Sequence, residues 1–298
     1  MTSIYYSPLY TGAIHPDARF PRLRYKMVYE ELQRRGVRST FSEPAPIEKH
    51  HLLRTHCQDY VERFLGGSLS ERERRAIGLR PWTDAMIPRT LLLMGGSLSA
   101  TRDVLGGAPC GANLAGGTHH AFRDKGAGYC VFNDLAVCSH YALNEGVERI
   151  LIIDLDVHQG DGTASIFEDE DRVFTFSMHC QKNFPFRKQS SDLDIGIDEG
   201  MEDDGYLQIL EKTLPTLLNS VDPELIFFQA GVDALTTDKL GRLNLSRAGL
   251  HKRNTFIFDA IRSRDLPLVA MMGGGYSEPI EASVQAHADV FESLSLLT

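Results

Sequence analysis

Four consecutive aliphatic residues, Ile150-Leu151-Ile152-Ile153, run straight into Asp154-Leu155-Asp156-Val157-His158. A strand with no polar alternation must be covered on both faces, which is the condition inside a parallel sheet flanked by helices. This strand must also end where carboxylates and an imidazole are tolerated. Residues i, i+2 and i+4 of an extended chain point to one side, so Asp154, Asp156 and His158 are expected to project together there.

The rest of the chain repeats this design. Short β-rich runs at residues 3–6, 112–115, 149–157, 173–178, 225–229 and 266–272 alternate with helical patterns at 23–35, 89–105, 134–144, 203–218, 247–262 and 280–297. Strands alternating with helices imply parallel pairing through crossover helices. The expected fold is α/β, a single open, mostly parallel sheet with helices on both faces. No repeat, low-complexity tract or long linker interrupts the 298 residues, so residues 1–298 read as one catalytic domain. Polar motifs follow the strands: Gly116-Gly117-Thr118-His119-His120, Asp154 to His158, Gln229-Ala230-Gly231-Val232-Asp233 and Gly273-Gly274-Gly275-Tyr276. The carboxyl edge of an open parallel sheet is where ligands bind.

Asp156, His158 and Asp233 offer three ligands of the kind zinc accepts and leave one position open, as a catalytic zinc requires. Taken alone, Asp-x-Asp-x-His also reads as a strand end with turn residues. A glycine loop can present His119 and His120 together, each oriented by a carboxylate on its second nitrogen, with Asp154 and Asp161 as candidates. A His-His pair is weak by itself, and His50-His51 reads as a surface pair. Tyr276 can place a phenol over the metal and donate to a developing oxyanion, although a glycine-rich turn with a packing tyrosine has the same pattern.

Taken in this order, the segments resemble the zinc-dependent histone deacetylase family, over nearly the whole chain. The matching elements include Gly128-Tyr129-Cys130 and Asp154-x-Asp156-x-His158-x-Gly-Asp161-Gly. Gln159 and the stretch Asp238-Lys239-Leu240-Gly241-Arg242-Leu243 look most like the class IV branch. The resemblance implies zinc on Asp156, His158 and Asp233, with His120 as general base and then acid, oriented by Asp161. It also implies that His119, oriented by Asp154, tunes the site and that Tyr276 polarises the acyl carbonyl. The backbone of Gly128 would meet the substrate amide, and Tyr129 and Phe184 would line an acyl-lysine tunnel. A structural K+ would sit near Asp154, Asp156, His158 and Ser177. Substrates implied are acyl-lysine proteins or peptides, or acetylated polyamines, with tolerance of acyl groups longer than acetyl. Asp84 lies in about the region where relatives carry an acid that holds the peptide backbone.

Composition narrows the alternatives. The net charge of −9 argues against a uniformly basic nucleic-acid footprint. Five cysteines with no CxxC pair read as free thiols of a reducing compartment. Neither a signal peptide nor a membrane-spanning run is visible, which reads as cytoplasmic. A two-manganese ureohydrolase would need further bridging acids, which are missing beside His158 and Asp233. A catalytically silent acyl-lysine binding protein would be expected to have lost one of the proton-transfer or metal residues, and none is lost.

Overall fold

The computed structural model describes residues 2–297. Its strands are β1 (Ser3–Tyr5), β2 (Thr40–Ser42), β3 (Cys110–Asn113), β4 (Ile150–Asp154), β5 (Val173–Cys180), β6 (Leu193–Ile197), β7 (Leu225–Gln229) and β8 (Leu268–Met271). They form one sheet in the order β2-β1-β3-β8-β7-β4-β5-β6, and every neighbouring pair is parallel. All residues of β3, β4, β7 and β8 are buried.

The helices are α1 (Leu9–Gly12), α2 (Arg24–Arg34), α3 (Lys49–Leu53), α4 (Gln58–Leu65), α5 (Glu71–Ile77), α6 (Met86–Leu105), α7 (Asp134–Asn144), α8 (Asp161–Phe167), α9 (Asp203–Val221), α10 (Arg247–Arg262) and α11 (Glu281–Ser295). One group, α6, α7 and α8, packs in series, and a second runs α2, α11, α10 and α9. Between them they cover the two faces of the sheet. No helix among the described residues is long and apolar enough to cross a membrane.

Strands β3, β8, β7 and β4 are consecutive in the sheet. Register aligns their ends: Asp154 pairs with Gln229, Gln229 with Met271, and Met271 with Asn113. The four loops leaving this edge carry residues 114–120, 155–160, 230–235 and 272–277, so parallel register alone brings the four polar motifs together.

Several expectations need correction. Strand β4 ends at Asp154, so Asp156 and His158 lie in the loop beyond it and are not brought together by strand periodicity. Loop hydrogen bonds do that work instead. His51 is buried, with its Nε2 3.1 Å from Arg102 Nη2, and only His50 is a surface residue. Strands β2 and β6 and helices α1, α3, α4, α5 and α8 are additional to the elements expected. All five cysteines are free, and all except Cys57 are buried.

Candidate active site

The loop after β4 is built by its own carboxylates. Asp156 Oδ2 accepts hydrogen bonds from the Gly274 backbone N–H at 2.8 Å and from Gln229 Nε2 at 3.0 Å. Asp233 Oδ1 accepts from the Val157 N–H at 2.8 Å. Each carboxylate is thus tied back by one oxygen, and its other oxygen faces His158. Asp156 Oδ1 lies 2.9 Å and Asp233 Oδ2 3.1 Å from His158 Nδ1.

A single imidazole N–H cannot fully serve two carboxylates. Burial alone would push the His158 pKa down, but its hydrogen bonds to the Asp156 and Asp233 carboxylates outweigh burial and lift it to about 10. The cluster therefore calls for positive charge at that point. Ligand atoms of all three residues lie within 4.8 Å of one another, and among the described residues no other group of His, Cys, Asp or Glu is so placed. Zinc sits about 2.0–2.2 Å from nitrogen and oxygen ligands. Separations near 3 Å between the donors therefore suit one shared ion, and the donor set fits zinc.

The histidine pair sits beside this cluster. Asp134 anchors their loop, accepting from the backbone N–H groups of Gly117 at 3.2 Å and Thr118 at 2.8 Å. His119 Nδ1 meets Asp154 Oδ2 at 2.6 Å, and His120 Nδ1 meets Asp161 Oδ1 at 2.6 Å. An ionised carboxylate can only accept, so each imidazole donates through Nδ1 and keeps Nε2 for other partners. Both residues are buried, and their ring centroids are 4.1 Å apart. Burial, reinforced by the neighbouring His119, lowers the His120 pKa to about 4. At His119 burial also opposes charge, but the carboxylates of Asp154 and Asp156 prevail and raise it to about 9.

Tyr276 follows β8. Its backbone N–H donates to Asp238 Oδ2 at 2.6 Å, and burial pushes its phenol well above the ordinary value, so the hydroxyl keeps its proton. Arg24 lies behind it. The guanidinium stacks 5.1 Å from the Tyr276 ring centroid and donates to the carbonyls of Gly275 at 2.7 Å and Gly273 at 2.9 Å. The β3 and β8 loops approach most closely at two glycines: a Cβ on Gly117 would stand 2.7 Å from Gly273 Cα.

These residues border a cavity of about 850 Å³ whose wall includes His119, His120, Asp156, His158, Gly128, Tyr129, Phe184 and Tyr276. Asp154, Asp161 and Asp233 lie behind that wall. Phe184 packs edge-on to His120 with centroids 4.9 Å apart, and Tyr129 tilts against Tyr276 at 5.8 Å. Tyr129 adopts φ +69°, an unusual conformation for a side chain of this size. Its N–H is held at 2.6 Å by the Ile77 carbonyl. The Gly128 N–H is given to the Ala76 carbonyl, and among the described residues the Gly128 carbonyl accepts only the weak Cys130 thiol donor at 3.4 Å. A Cβ on Gly128 would come within 2.6 Å of His120 Cδ2, so only glycine packs there. Ser177 stands opposite Asp154 across β4 and β5, its hydroxyl 2.9 Å from His179 Nδ1. Asp84 is exposed and outside the cavity wall.

Residues 18–291 match the histone deacetylase domain. The chain belongs to this family. It is 42% identical over 289 residues to an uncharacterized protein of Picosynechococcus, covering 96% of this chain and 95% of that one. It is 32% identical over 286 residues to a probable deacetylase of Archaeoglobus fulgidus, covering 88% and 77%. It is 29% identical over 262 residues to histone deacetylase 2 of Arabidopsis thaliana, covering 85% and 67%. The solved HD domain of HDA15 superposes with a TM-score of 0.85 at 20% identity, over 100% of this chain and 90% of that one, and so shares the fold.

Some supporting residues of this histone deacetylase domain are not evident in the sequence. Arg24 sits in an ordinary basic helix start. Arg253 on α10 is fully buried and donates to the carbonyls of Leu155 at 3.2 Å and Gly231 at 2.8 Å, joining the two ligand-bearing loops. Asn183 accepts the Arg242 N–H and donates to the Leu240 carbonyl. Gln159 donates to the Gln189 carbonyl at 2.7 Å and Asp194 Oδ1 at 2.8 Å, fastening the segment that carries Phe184. Nothing in a single sequence separates Arg24, Arg253 and Asn183 from other buried polar groups, and Gln159 stands out there only through the family resemblance, not through this bracing role.

Proposed function

We propose that the chain is a zinc-dependent hydrolase of acyl-lysine amides. The convergence of Asp156, His158 and Asp233 beside a carboxylate-oriented His120 carries this reading, and family membership supports it. Zinc in that cluster would supply Lewis acidity, polarising the acyl carbonyl and bringing the pKa of a water towards about 7.

The chain's own residues would do the rest. His120 takes the proton of the attacking water on Nε2, because Asp161 occupies Nδ1. The buried Asp161 carboxylate then steadies the imidazolium. His120 gives the proton to the lysine nitrogen as the C–N bond breaks, so the products are a free amine and a carboxylate. The Tyr276 hydroxyl donates to the carbonyl oxygen as it gains charge. The His119–Asp154 pair fixes the neighbouring wall. Tyr129 and Phe184 flank the extended lysine stem, and the Gly128 carbonyl accepts from the substrate amide. The Asp154–Ser177 neighbourhood is the place for the monovalent cation implied by the family resemblance.

The test is a set of acetyl-, butyryl-, octanoyl- and myristoyl-lysine versions of one peptide, assayed with zinc-loaded protein beside metal analysis. About one zinc per chain and release of free lysine amine are expected. Two manganese ions, both needed for turnover, would overturn the reading. The class IV resemblance implies tolerance of chains longer than acetyl, and each methylene that finds room to be buried would contribute about 0.8 kcal/mol. A steady fall in kcat/KM from acetyl onward would show that the pocket takes acetyl only.

A further inference from the structure

We infer that the mouth of the cavity is a cationic collar that selects acyl-lysine flanked by acidic residues, a substrate class that rests on the deacylase reading above. Five exposed cations border the cavity: Arg19 before α2, Arg75 and Arg80 at the end of α5, Lys182 after β5 and Arg242 after β7. Outside the metal cluster, Asp17 is the only carboxylate on the same wall among the described residues.

The collar is only partly neutralised by its neighbours. Glu71 is shared between Arg75 at 3.1 Å and Arg80 at 3.4 Å. Glu199 is shared between Lys182 at 3.4 Å and Arg242 at 3.5 Å. Each acid thus faces two cations. Arg19 has no ion-pair partner among the described residues. Five cations meet three carboxylates, Asp17, Glu71 and Glu199, in a chain whose formal net charge is −9. The positive mouth is therefore a local arrangement against the sign of the whole molecule. Arg24, deeper in the cavity, is spent on backbone carbonyls and adds no ligand contact at the rim.

Charge of one sign around a low-dielectric concavity concentrates ligands of the other sign. The inner cavity receives one extended side chain, so the residues on either side of it must lie across the rim. Acidic neighbours would face Arg19, Arg80 and Arg242 at distances where exposed charges still act through salt of moderate strength. A lysine-rich segment or an acetylated polyamine would bring its own positive charge to the same place and be repelled. Phe186, 87% exposed, offers apolar contact beside the cations.

The test uses two labelled peptides with the same central acetyl-lysine, one flanked by Asp and Glu and the other by Lys and Arg. Hydrolysis and fluorescence-anisotropy binding are measured at low and high salt. The acidic peptide is expected to have about tenfold higher kcat/KM at low salt, mainly through KM, with the ratio approaching one at about 1 M salt. The variant combining Arg19→Glu, Arg80→Glu and Arg242→Glu should reverse the preference. The salt dependence of the unaltered protein needs no variant to fold.

Equal handling of both peptides at all salts, or preference for the basic one, would overturn the collar while leaving deacylation intact. Salt-sensitive binding of the acidic peptide with neither peptide hydrolysed would support the collar and remove the acyl-lysine reaction. Failure to bind either peptide would overturn the collar directly.

Discussion

His120 has two tasks that no neighbour can share, because its Nδ1 is committed to Asp161 and its ring packs on Phe184. His120→Ala should therefore lower kcat by about 10²–10⁴-fold, the range for a single acid–base group. Zinc content, measured on the same preparation, should not change. A variant with near-normal turnover would remove His120 from the mechanism. Tyr276→Phe deletes one donor and should reduce kcat by about 10²–10³-fold. Arg24 acts through that tyrosine by gripping the Gly273 and Gly275 carbonyls. Arg24→Lys keeps the charge but cannot donate in two fixed directions. It should cost up to about 10²-fold in kcat, as a misplaced group can, with little change in bound zinc. The histidines, acids and tyrosine that border this chemistry are legible in the sequence because they are reactive types gathered after strands. Arg24 and Arg253 are not, because their function is to hold carbonyls that only the folded backbone supplies.

Helix α2 reaches the site at its first residue, Arg24, and is secured at its other end. Arg35, at its end, donates to Asp289 Oδ1 at 2.8 Å and Glu292 Oε2 at 2.6 Å on α11, and to Glu31 Oε1 at 2.8 Å on its own helix. Asp289 also receives Arg247 from α10 at 2.6 Å. Arg35→Met would leave these acids facing one another and should destabilise the protein by about 3 kcal/mol, read by urea unfolding. Hydrogen bonds from Arg34, then from Arg35 against the opposing effect of burial, hold the Glu31 carboxyl at about 2, below its ordinary 4.5. A lowered acid pKa stabilises the fold above the ordinary value, and that stability is lost as pH falls from 4.5 towards 2. The unaltered protein should lose stability across this window more steeply than the Arg35→Met variant, and parallel curves would show that the clamp does not titrate. Element boundaries are legible where a capping side chain marks the helix start, as Asn133 does for α7 and Ser246 for α10. Helix α5 shows no hydrophobic period because it is mostly charged, although Ser70 and Glu73 form a reciprocal cap at its start. Strand β6 was hidden by its aspartate and glycine, which an exposed sheet edge tolerates.

At the scale of the molecule, parallel register is what makes the site. Residues from 119 to 276 meet because β3, β8, β7 and β4 are neighbours in space and end at one level. The alternation of strands and helices pointed to this class of fold, but the order of strands rests on which crossovers pack, and no local pattern encodes it. Because the three proposed ligands come from the β4 and β7 loops, zinc should bind the folded chain in preference to the unfolded one. Free zinc at about a hundred times its Kd should add about 2.7 kcal/mol to the unfolding free energy, visible as a rise in Tm of several degrees. Asp156→Ala should show no such rise. The close approach of Gly117 to Gly273 carries a further consequence. A methyl group added at Gly117 would press on the loop that bears the tyrosine, and one added at Gly273 would press on Gln229 and Gly231, so a change at either glycine reaches beyond its own loop. The floor of the site can therefore tolerate little piecemeal variation. The rim, whose arginines and lysine stand on separate exposed segments, is free to change one residue at a time, and it is there that the molecule has latitude to acquire new preferences.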